Sequence, residues 1–366
     1  MVQAWIDGMP AALSTATAAA ARLLDASRQP LVAGLGTDIA GARAAVALAQ
    51  RIGACVDHMN ADALLRDLDV MREAGAMLTT PNETRMRADT LLLGGPGLIE
   101  AWSELPRHLF GPTSVADDRR GTERRVFWLC PGRQTGADDK VTVIGRDSGE
   151  LPAVLAVLRA RIKGHPTGEV SVSVQLLDEL VGALKTARFG VAAWSAAALD
   201  ALTIEMLCGI VNDLNATTRF SGLPLAPSDN AMGVLQVCAW MTGFPMRTGF
   251  GRAYPDHDRW QYGAARLVES GETDCVLWIS AYRAAPPQWH GDPQMIALAP
   301  ADARFPRSPR VHIAVGAPGR DHDSIEHCAM IGTLAAVTAT HRSEALSVAD
   351  AITSIVAHLS AEPLSC

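Results

Sequence analysis

The chain has 366 residues, a net charge of −7, 48% apolar residues and only 19% charged residues. That length is enough for two domains and a large core. The negative balance excludes a general nucleic-acid or membrane-surface binder, because both need a basic face. Charge this sparse, against about 25% in ordinary soluble domains, fits either an Ala-rich composition or a surface partly covered by partners.

Residues 1–10 carry Asp7 and no basic n-region, which disfavours a secretory leader. The Ala/Thr-rich run at 10–24 reads as a surface or packing helix. It is interrupted by Arg22 and is shorter than the roughly 20 residues that a membrane span requires. Short apolar strands then alternate with amphipathic helices, the pattern of parallel α/β sheets. Strands are expected at 31–34, 90–93, 126–130, 141–144, 189–194, 275–280 and 311–315. Each is a continuous apolar run bounded by Gly, Pro or charge, as expected where helices cover both faces. Helices are expected at 38–51, 61–73, 151–162, 174–187, 199–214, 258–269 and 344–359, with Thr37 or Asp38 as an N-cap. Segment 110–125 (FGPTSVADDRRGTERR) reads as a long surface loop, and the Pro/Ala-rich 283–310 as an extended excursion between strands.

The seven cysteines (Cys55, Cys130, Cys208, Cys238, Cys275, Cys328 and Cys366) are scattered singly with no C-x-x-C. They point to a reducing, cytoplasmic setting. Gly34-Leu35-Gly36 and Gly94-Gly95-Pro96-Gly97 follow strands where phosphate could bind, yet neither completes G-x-G-x-x-G, and such glycines commonly serve the turn itself. Asp321-His322-Asp323-Ser324-Ile325-Glu326-His327-Cys328 is the densest set of metal-capable side chains. On a helix His322 and Glu326, or Asp323 and His327, would share a face; a solvated loop or subunit contact is the plainer alternative. His257 lies between Asp256 and Asp258, but neighbours on a strand face opposite ways and no G-x-S-x-G elbow supplies a nucleophile. Arg119, Arg120, Arg124 and Arg125 form the one basic concentration, suited to carboxylates, though Asp117, Asp118 and Glu123 partly neutralise it.

Residues 230–250, NAMGVLQVCAWMTGFPMRTGF, carry the one sharp motif, with Gln236 and Trp240 four apart around Cys238. This block resembles the G-x-x-QVC-x-W-x-x-G-[FY]-P segment of the formylmethanofuran dehydrogenase B subunit, the molybdopterin or tungstopterin subunit. QPLVAGLG at 29–36, RMRADTLLLG at 85–94, KTARFGVAAW at 185–194 and VNDLN at 211–215 match that family in type and order. Redox-active members carry an N-terminal cysteine cluster for iron–sulfur ligation, and none is present here. After the strand ending near Val56, where the family places a metal-ligating Cys or selenocysteine followed by His, this chain reads Asp57-His58-Met59-Asn60-Ala61. No soft thiolate is available there. The family's arginine before the QVC block is replaced by Leu225-Ala226-Pro227.

The degenerate B subunits of formyltransferase/hydrolase complexes in methylotrophic bacteria show the same losses, and this chain most resembles them. The resemblance implies a molybdopterin-oxidoreductase-like α/β fold with two parallel-sheet, three-layer domains. Residues 1–57 and 187–366 would form the first, with 58–186 inserted. It implies a non-catalytic scaffold in tetrahydromethanopterin-linked one-carbon oxidation, assembled with an amidohydrolase-like A subunit, a C subunit and a formyltransferase D subunit. No catalytic, cofactor-binding or metal residue is assigned, and no molybdopterin, tungsten or iron–sulfur is expected. A methanofuran-type carrier would be met, if at all, within the complex. The rival expectation is a pterin- or metal-dependent oxidoreductase.

Overall fold

A computed structural model of the chain describes residues 4–111, 124–133, 140–168 and 171–360. They fall into two compact units. The first comprises Met1–Ala61, Ser228–His327 and Leu334–Cys366; the second comprises Asp62–Pro227 and Cys328–Thr333.

The first unit is built on a nine-stranded sheet. With strands numbered along the chain, these are β1 (Ala4–Ile6), β2 (Met9–Pro10), β3 (Pro30–Gly36), β4 (Cys55–Val56), β10 (Thr248–Gly249), β11 (Asp256–His257), β12 (Cys275–Ser280), β13 (Gln294–Ala299) and β14 (Val311–Ala314). Their order across the sheet is β11-β10-β4-β3-β12-β13-β14-β1-β2. The five central strands, β4 to β14, are parallel. The edges are antiparallel, so this sheet is mixed rather than purely parallel. Every residue of β3 and β12 is buried, which is why PLVAGLG and CVLWIS read as unbroken apolar runs. Full burial of one Leu, Ile or Val here contributes about 1.5–3 kcal/mol.

Helices α1 (Leu13–Ala26), α2 (Ile39–Ile52), α10 (Ala231–Thr242), α11 (Ala264–Glu269) and α12 (Val348–Val356) belong to this unit. Asp38 starts α2 by accepting from the Gly41 N–H, and Gly53 ends it in the left-handed region. Segment 283–310 is not wholly an excursion, because it contains the buried strand β13 between β12 and β14. QMIALA has a single β-branched residue and lies between Pro293 and Pro300, so propensity hid it.

The second unit holds the parallel sheet β7-β6-β5-β8-β9, formed by β5 (Thr90–Gly94), β6 (Arg125–Leu129), β7 (Val141–Ile144), β8 (Gly190–Trp194) and β9 (Phe220–Pro224). Its helices are α3 (Ala61–Ala74), α4 (Pro81–Arg87), α5 (Leu98–Ala101), α6 (Leu105–Leu109), α7 (Leu151–Ile162), α8 (Val174–Lys185) and α9 (Ala201–Leu214). Alternation along β5 and β6 separates two cores. Leu92, Phe127 and Leu129 pack with Leu155, Leu180 and Leu207; Leu91, Leu93, Val126 and Trp128 pack with Leu98, Leu105 and Leu109. The family resemblance implied an inserted segment ending at 186. By its contacts the second unit continues to Pro227, because β8 and β9 pair alongside β5.

Arg124 is not part of a solvated basic patch. Its buried guanidinium donates to the carbonyls of Ala88 (2.8 Å), Leu109 (2.6 Å), Thr84 (3.2 Å) and Arg85 (2.8 Å), closing the open C-terminal ends of α4 and α6. Burial lowers its pKa to about 10. Arg125 is tied to the Ala183 carbonyl and the Thr90 and Thr186 hydroxyls. Arg119 and Arg120 lie outside the described residues. No helix among the described residues is long and apolar enough to cross a membrane.

Candidate functional site

In the first unit the parallel strands run β4-β3-β12-β13-β14, so the order reverses between β3 and β12. Ligands of doubly wound sheets bind outside the carboxyl ends of the strands at this reversal. Four short segments converge there: Gly36-Thr37-Asp38 after β3, Asp57 to Asn60 after β4, Tyr282-Arg283 after β12, and Ser228-Asp229-Asn230 before α10. The segment expected to hold the missing metal ligand therefore lies where a doubly wound sheet binds its ligand.

Its side chains are committed to one another. Arg283 grips Asp229 with both arms of the fork, Nε to Oδ1 at 2.9 Å and Nη2 to Oδ2 at 2.6 Å. The Asp229 carboxylate also accepts from Ser228 Oγ at 2.8 Å and Asn60 Nδ2 at 3.4 Å. Its side chain is only 3% exposed, whereas that of Arg283 is 56% exposed. Asp229 and Asn230 both take left-handed backbone angles, φ 60° and 55°, a conformation that Asn and Asp tolerate better than most residues. Asn230 then clamps two segments, donating to the Thr37 carbonyl at 2.9 Å and accepting from the His327 N–H at 2.9 Å.

His58 is buried with both ring nitrogens engaged. Nδ1 accepts from the Asn60 N–H at 2.9 Å, so Nε2 carries the proton and donates to the Asp229 carbonyl at 3.2 Å. Burial first, and the Arg283 charge after it, lower its pKa to about 4 against the opposing pull of Asp229. Asp57 faces the other way. It accepts from the N–H groups of His58 (2.9 Å) and Ala264 (2.8 Å) and pairs with Arg247 Nε at 3.3 Å. Met59 closes the remaining space: a Cβ on Gly36 would sit 3.1 Å from the Met59 methyl and 3.5 Å from Asp229 Cβ. The Tyr282 hydroxyl is buried without a hydrogen bond of normal geometry. Burial, then Glu326 and Asp38, pushes the phenol up, so it stays protonated.

These residues do not fit a metal-bound pterin. The ligand position holds a carboxylate turned into the protein, the imidazole has no free lone pair, and the Met59 sulfur lies 3.9 Å from Arg283 Nη2. The reversal in the second unit lies between β5 and β8. Gly97 has φ 81°, and a Cβ there would meet the Ala198 methyl at 2.6 Å.

The other expected clusters come apart. Residues 321–328 form a turn and a strand, β15 (Ser324–Cys328), paired with β16 (Thr333–Val337) rather than a helix, so the i, i+4 faces do not form. Asp321 pairs with Arg320 and the Ala317 N–H, Asp323 with Arg342 and the Ala339 N–H, and Glu326 with Ser324. Among the described residues, no three His, Cys, Asp or Glu side chains are placed to hold a metal. His257 bonds the Arg247 carbonyl through Nδ1 and stacks on Phe244. Asp256 is taken by Tyr262 and Asp258 by the N–H groups of Trp260 and Gln261, so no triad forms. Cys238 is fully buried, and burial raises its pKa to about 12, as for a packing thiol. Trp240, however, points to solvent.

Comparison with known proteins gives this arrangement a family. The chain is 35% identical over 320 residues to the B subunit of the formyltransferase/hydrolase complex Fhc of Methylorubrum extorquens, covering 87% of this chain and 86% of that protein. This chain belongs to the family of Fhc B subunits. No general family model matches it. A chain of the crystal structure of the formyltransferase/hydrolase complex (FhcABCD) from M. extorquens, in complex with methylofuran, superposes with a TM-score of 0.85 at 33% identity. The match covers 96% of this chain and 97% of that one. The B subunit of tungsten-containing formylmethanofuran dehydrogenase 2 from Methanocaldococcus jannaschii is 29% identical over 282 residues, with 73% of this chain and 63% of that protein covered. The α/β fold and the kinship to these B subunits expected from the QVCAW block are thus shown. Sequence reading of this Fhc family member missed the Arg283–Asp229 pair. Its only local signal was a charged residue three positions past the end of a buried strand.

Proposed function

We propose that this chain is the non-catalytic B subunit of a formyltransferase/hydrolase complex in tetrahydromethanopterin-linked one-carbon oxidation, assembled with amidohydrolase-like A, C and formyltransferase D subunits. It has no catalytic residue of its own and holds no molybdopterin, tungsten or iron–sulfur. The observation that carries this reading is the crevice at the reversal of the first sheet, filled by the Arg283–Asp229 pair, Met59 and a doubly bonded His58. Chemistry at such a point needs an open coordination position or a free acid–base group. The chain instead uses His58, Asn60, Asp229, Asn230 and Arg283 there to brace its own loops.

The test is co-expression with the A, C and D subunits, followed by elemental analysis of the chain alone and of the complex. The expected outcome is a stable four-subunit assembly in which this chain contributes no molybdenum, tungsten or iron. Stoichiometric molybdenum or tungsten on this chain would favour the oxidoreductase reading instead. Failure to co-purify with the other three subunits would remove the scaffold role.

A further inference from the structure

The first unit carries a concentration of exposed aromatic surface that its own fold does not use. Trp240 is 60% exposed and Met241 40%, both at the C-terminal end of α10. Phe244 is 39% exposed, Tyr254 55% and Trp260 73%. One stretch of chain, 240–260, carries them all, and local contacts order parts of it. The Phe244 ring lies on His257 with centroids 5.9 Å apart. Thr248 of β10 faces His257 of β11, and Trp260 is covered on one side by the Arg266 guanidinium at 4.7 Å. At about 150–250 Å² per fully exposed aromatic side chain, and a similar area for Met241, the four aromatics and Met241 together expose an area on the order of 500 Å². It is more than half of the ~800 Å² that one partner gives to a standard interface.

The charges beside this surface are compensated within the chain. Arg252 pairs with Asp256 at 3.3 Å and Arg266 with Glu272 at 2.6 Å. Asp258 spends its carboxylate on the Trp260 and Gln261 N–H groups at 2.8 and 2.6 Å. Neither Arg252 nor Arg266 is left free to hold an anionic chain or lipid surface. Such a rim suits an uncharged, apolar protein surface, with tryptophans as the buried anchors that dominate interface energy.

We infer that the Trp240–Trp260 face is the seat of a partner subunit, and that the tryptophan of the QVCAW block serves this chain as an interface anchor. The inference rests on the proposed subunit role. Its occupant is a neutral, apolar face of another chain of the complex. The N-terminal half of the motif stays inside the unit, with Val237 and Cys238 fully buried, while Trp240 faces out.

The experiment compares wild type with W240S/W260S, each co-expressed with the A, C and D subunits. Wild-type samples, free and assembled, are also probed by hydroxyl-radical footprinting. The double variant is expected to keep its circular dichroism spectrum and to melt within a few degrees of wild type, because both side chains lie on the surface. Its recovery in the complex should fall at least tenfold, and footprinting should show Trp240 and Trp260 protected in the assembled wild type. Wild-type recovery of the variant, or equal oxidation of both tryptophans free and assembled, overturns the inference. A wild-type chain that is dimeric by light scattering when alone, with a monomeric variant, assigns the face to a second copy and also overturns it. Should the variant misfold, the wild-type footprint decides. A wild-type chain that joins no complex defeats the subunit role itself, a result distinct from an assembly that forms without using this face.

Discussion

The indole N–H of Trp194, at the end of β8, donates to the Asp67 carboxylate on α3 at 2.9 Å, with both side chains buried. Among the described residues of the second unit no cation is ion-paired with that carboxylate; Arg66 acts on it only from a distance, and Cys208 is its other titratable neighbour. Burial raises the Asp67 pKa from 3.8 to about 6, outweighing the stabilisation by the indole.

Because the folded pKa lies above the unfolded one, protonation favours the folded state. The contribution is complete below about pH 4 and is lost as pH rises through about 6. At pH 8 the buried charge costs the second unit about 2 kcal/mol, taking roughly 1.4 kcal/mol for each tenfold change in the acidity constant and discounting for relaxation. Asp67→Asn keeps an acceptor for Trp194 and removes the charge. It should raise the melting temperature by roughly 5 °C at pH 8, with the gain vanishing near pH 4–5. A gain independent of pH would show that the carboxylate is not the titrating group.

In the first unit the corresponding liability is the Arg283–Asp229 pair. Removing the guanidinium leaves a buried carboxylate held only by Ser228 and Asn60. A fully buried pair broken this way costs about 3–5 kcal/mol. Arg283 is more than half exposed, so Arg283→Ala should cost nearer 2 kcal/mol, and Arg283→Ala/Asp229→Asn less than the sum of the single changes. Chemical denaturation across the four-membered cycle measures the coupling. An additive cycle would mean the two residues brace the crevice independently.

How much of this was legible in the sequence depends on the kind of signal. The helices at 39–52 and 151–162 and the strands at 275–280 and 141–144 were readable because amphipathic periodicity or a buried apolar run set them locally. Strands of two residues, such as Cys55–Val56 and Thr248–Gly249, exist only because a neighbour pairs with them, so no local pattern could mark them. The helix expected to begin at 258 begins at Ala264, because Asp258 caps a turn over Trp260 and Gln261 instead. At the candidate site, the absent thiolate at Asp57 was plain in the chain. What replaced it was not, since Asp229 and Arg283 are 54 residues apart and meet only when β12 lies beside β3.

Restoring a thiolate should not restore a metal site. Asp57→Cys would take an acceptor from the Ala264 and His58 N–H groups and the carboxylate from Arg247, while His58 keeps both nitrogens bonded. Each buried group left without its partner costs about 1–3 kcal/mol. The variant should therefore melt lower than wild type. Grown with tungstate or molybdate, it should contain no stoichiometric metal by inductively coupled plasma mass spectrometry. Near-equimolar tungsten or molybdenum would mean that the crevice opens more readily than its hydrogen bonds imply.

The last prediction concerns turnover in the assembled complex. His257, His322 and His327 were the side chains most able to act as acids, bases or ligands outside the crevice. The fold gives each a local task or none: His257 stacks on Phe244 and bonds the Arg247 carbonyl, His322 bonds the Asp323 carbonyl, and burial lowers the pKa of His327. Among the described residues, none of the three belongs to a group of side chains placed to hold a metal. Replacing all three with Ala should leave turnover per assembled complex within about twofold, whereas losing an acid–base group costs a factor of about 10² to 10⁴. Assembly must be checked in the same preparation, because Phe244, which His257 supports, lies on the proposed docking face. A hundredfold fall in a complex of unchanged stoichiometry and metal content would place chemistry on this chain; a fall that tracks lost assembly would place His257 in the interface instead.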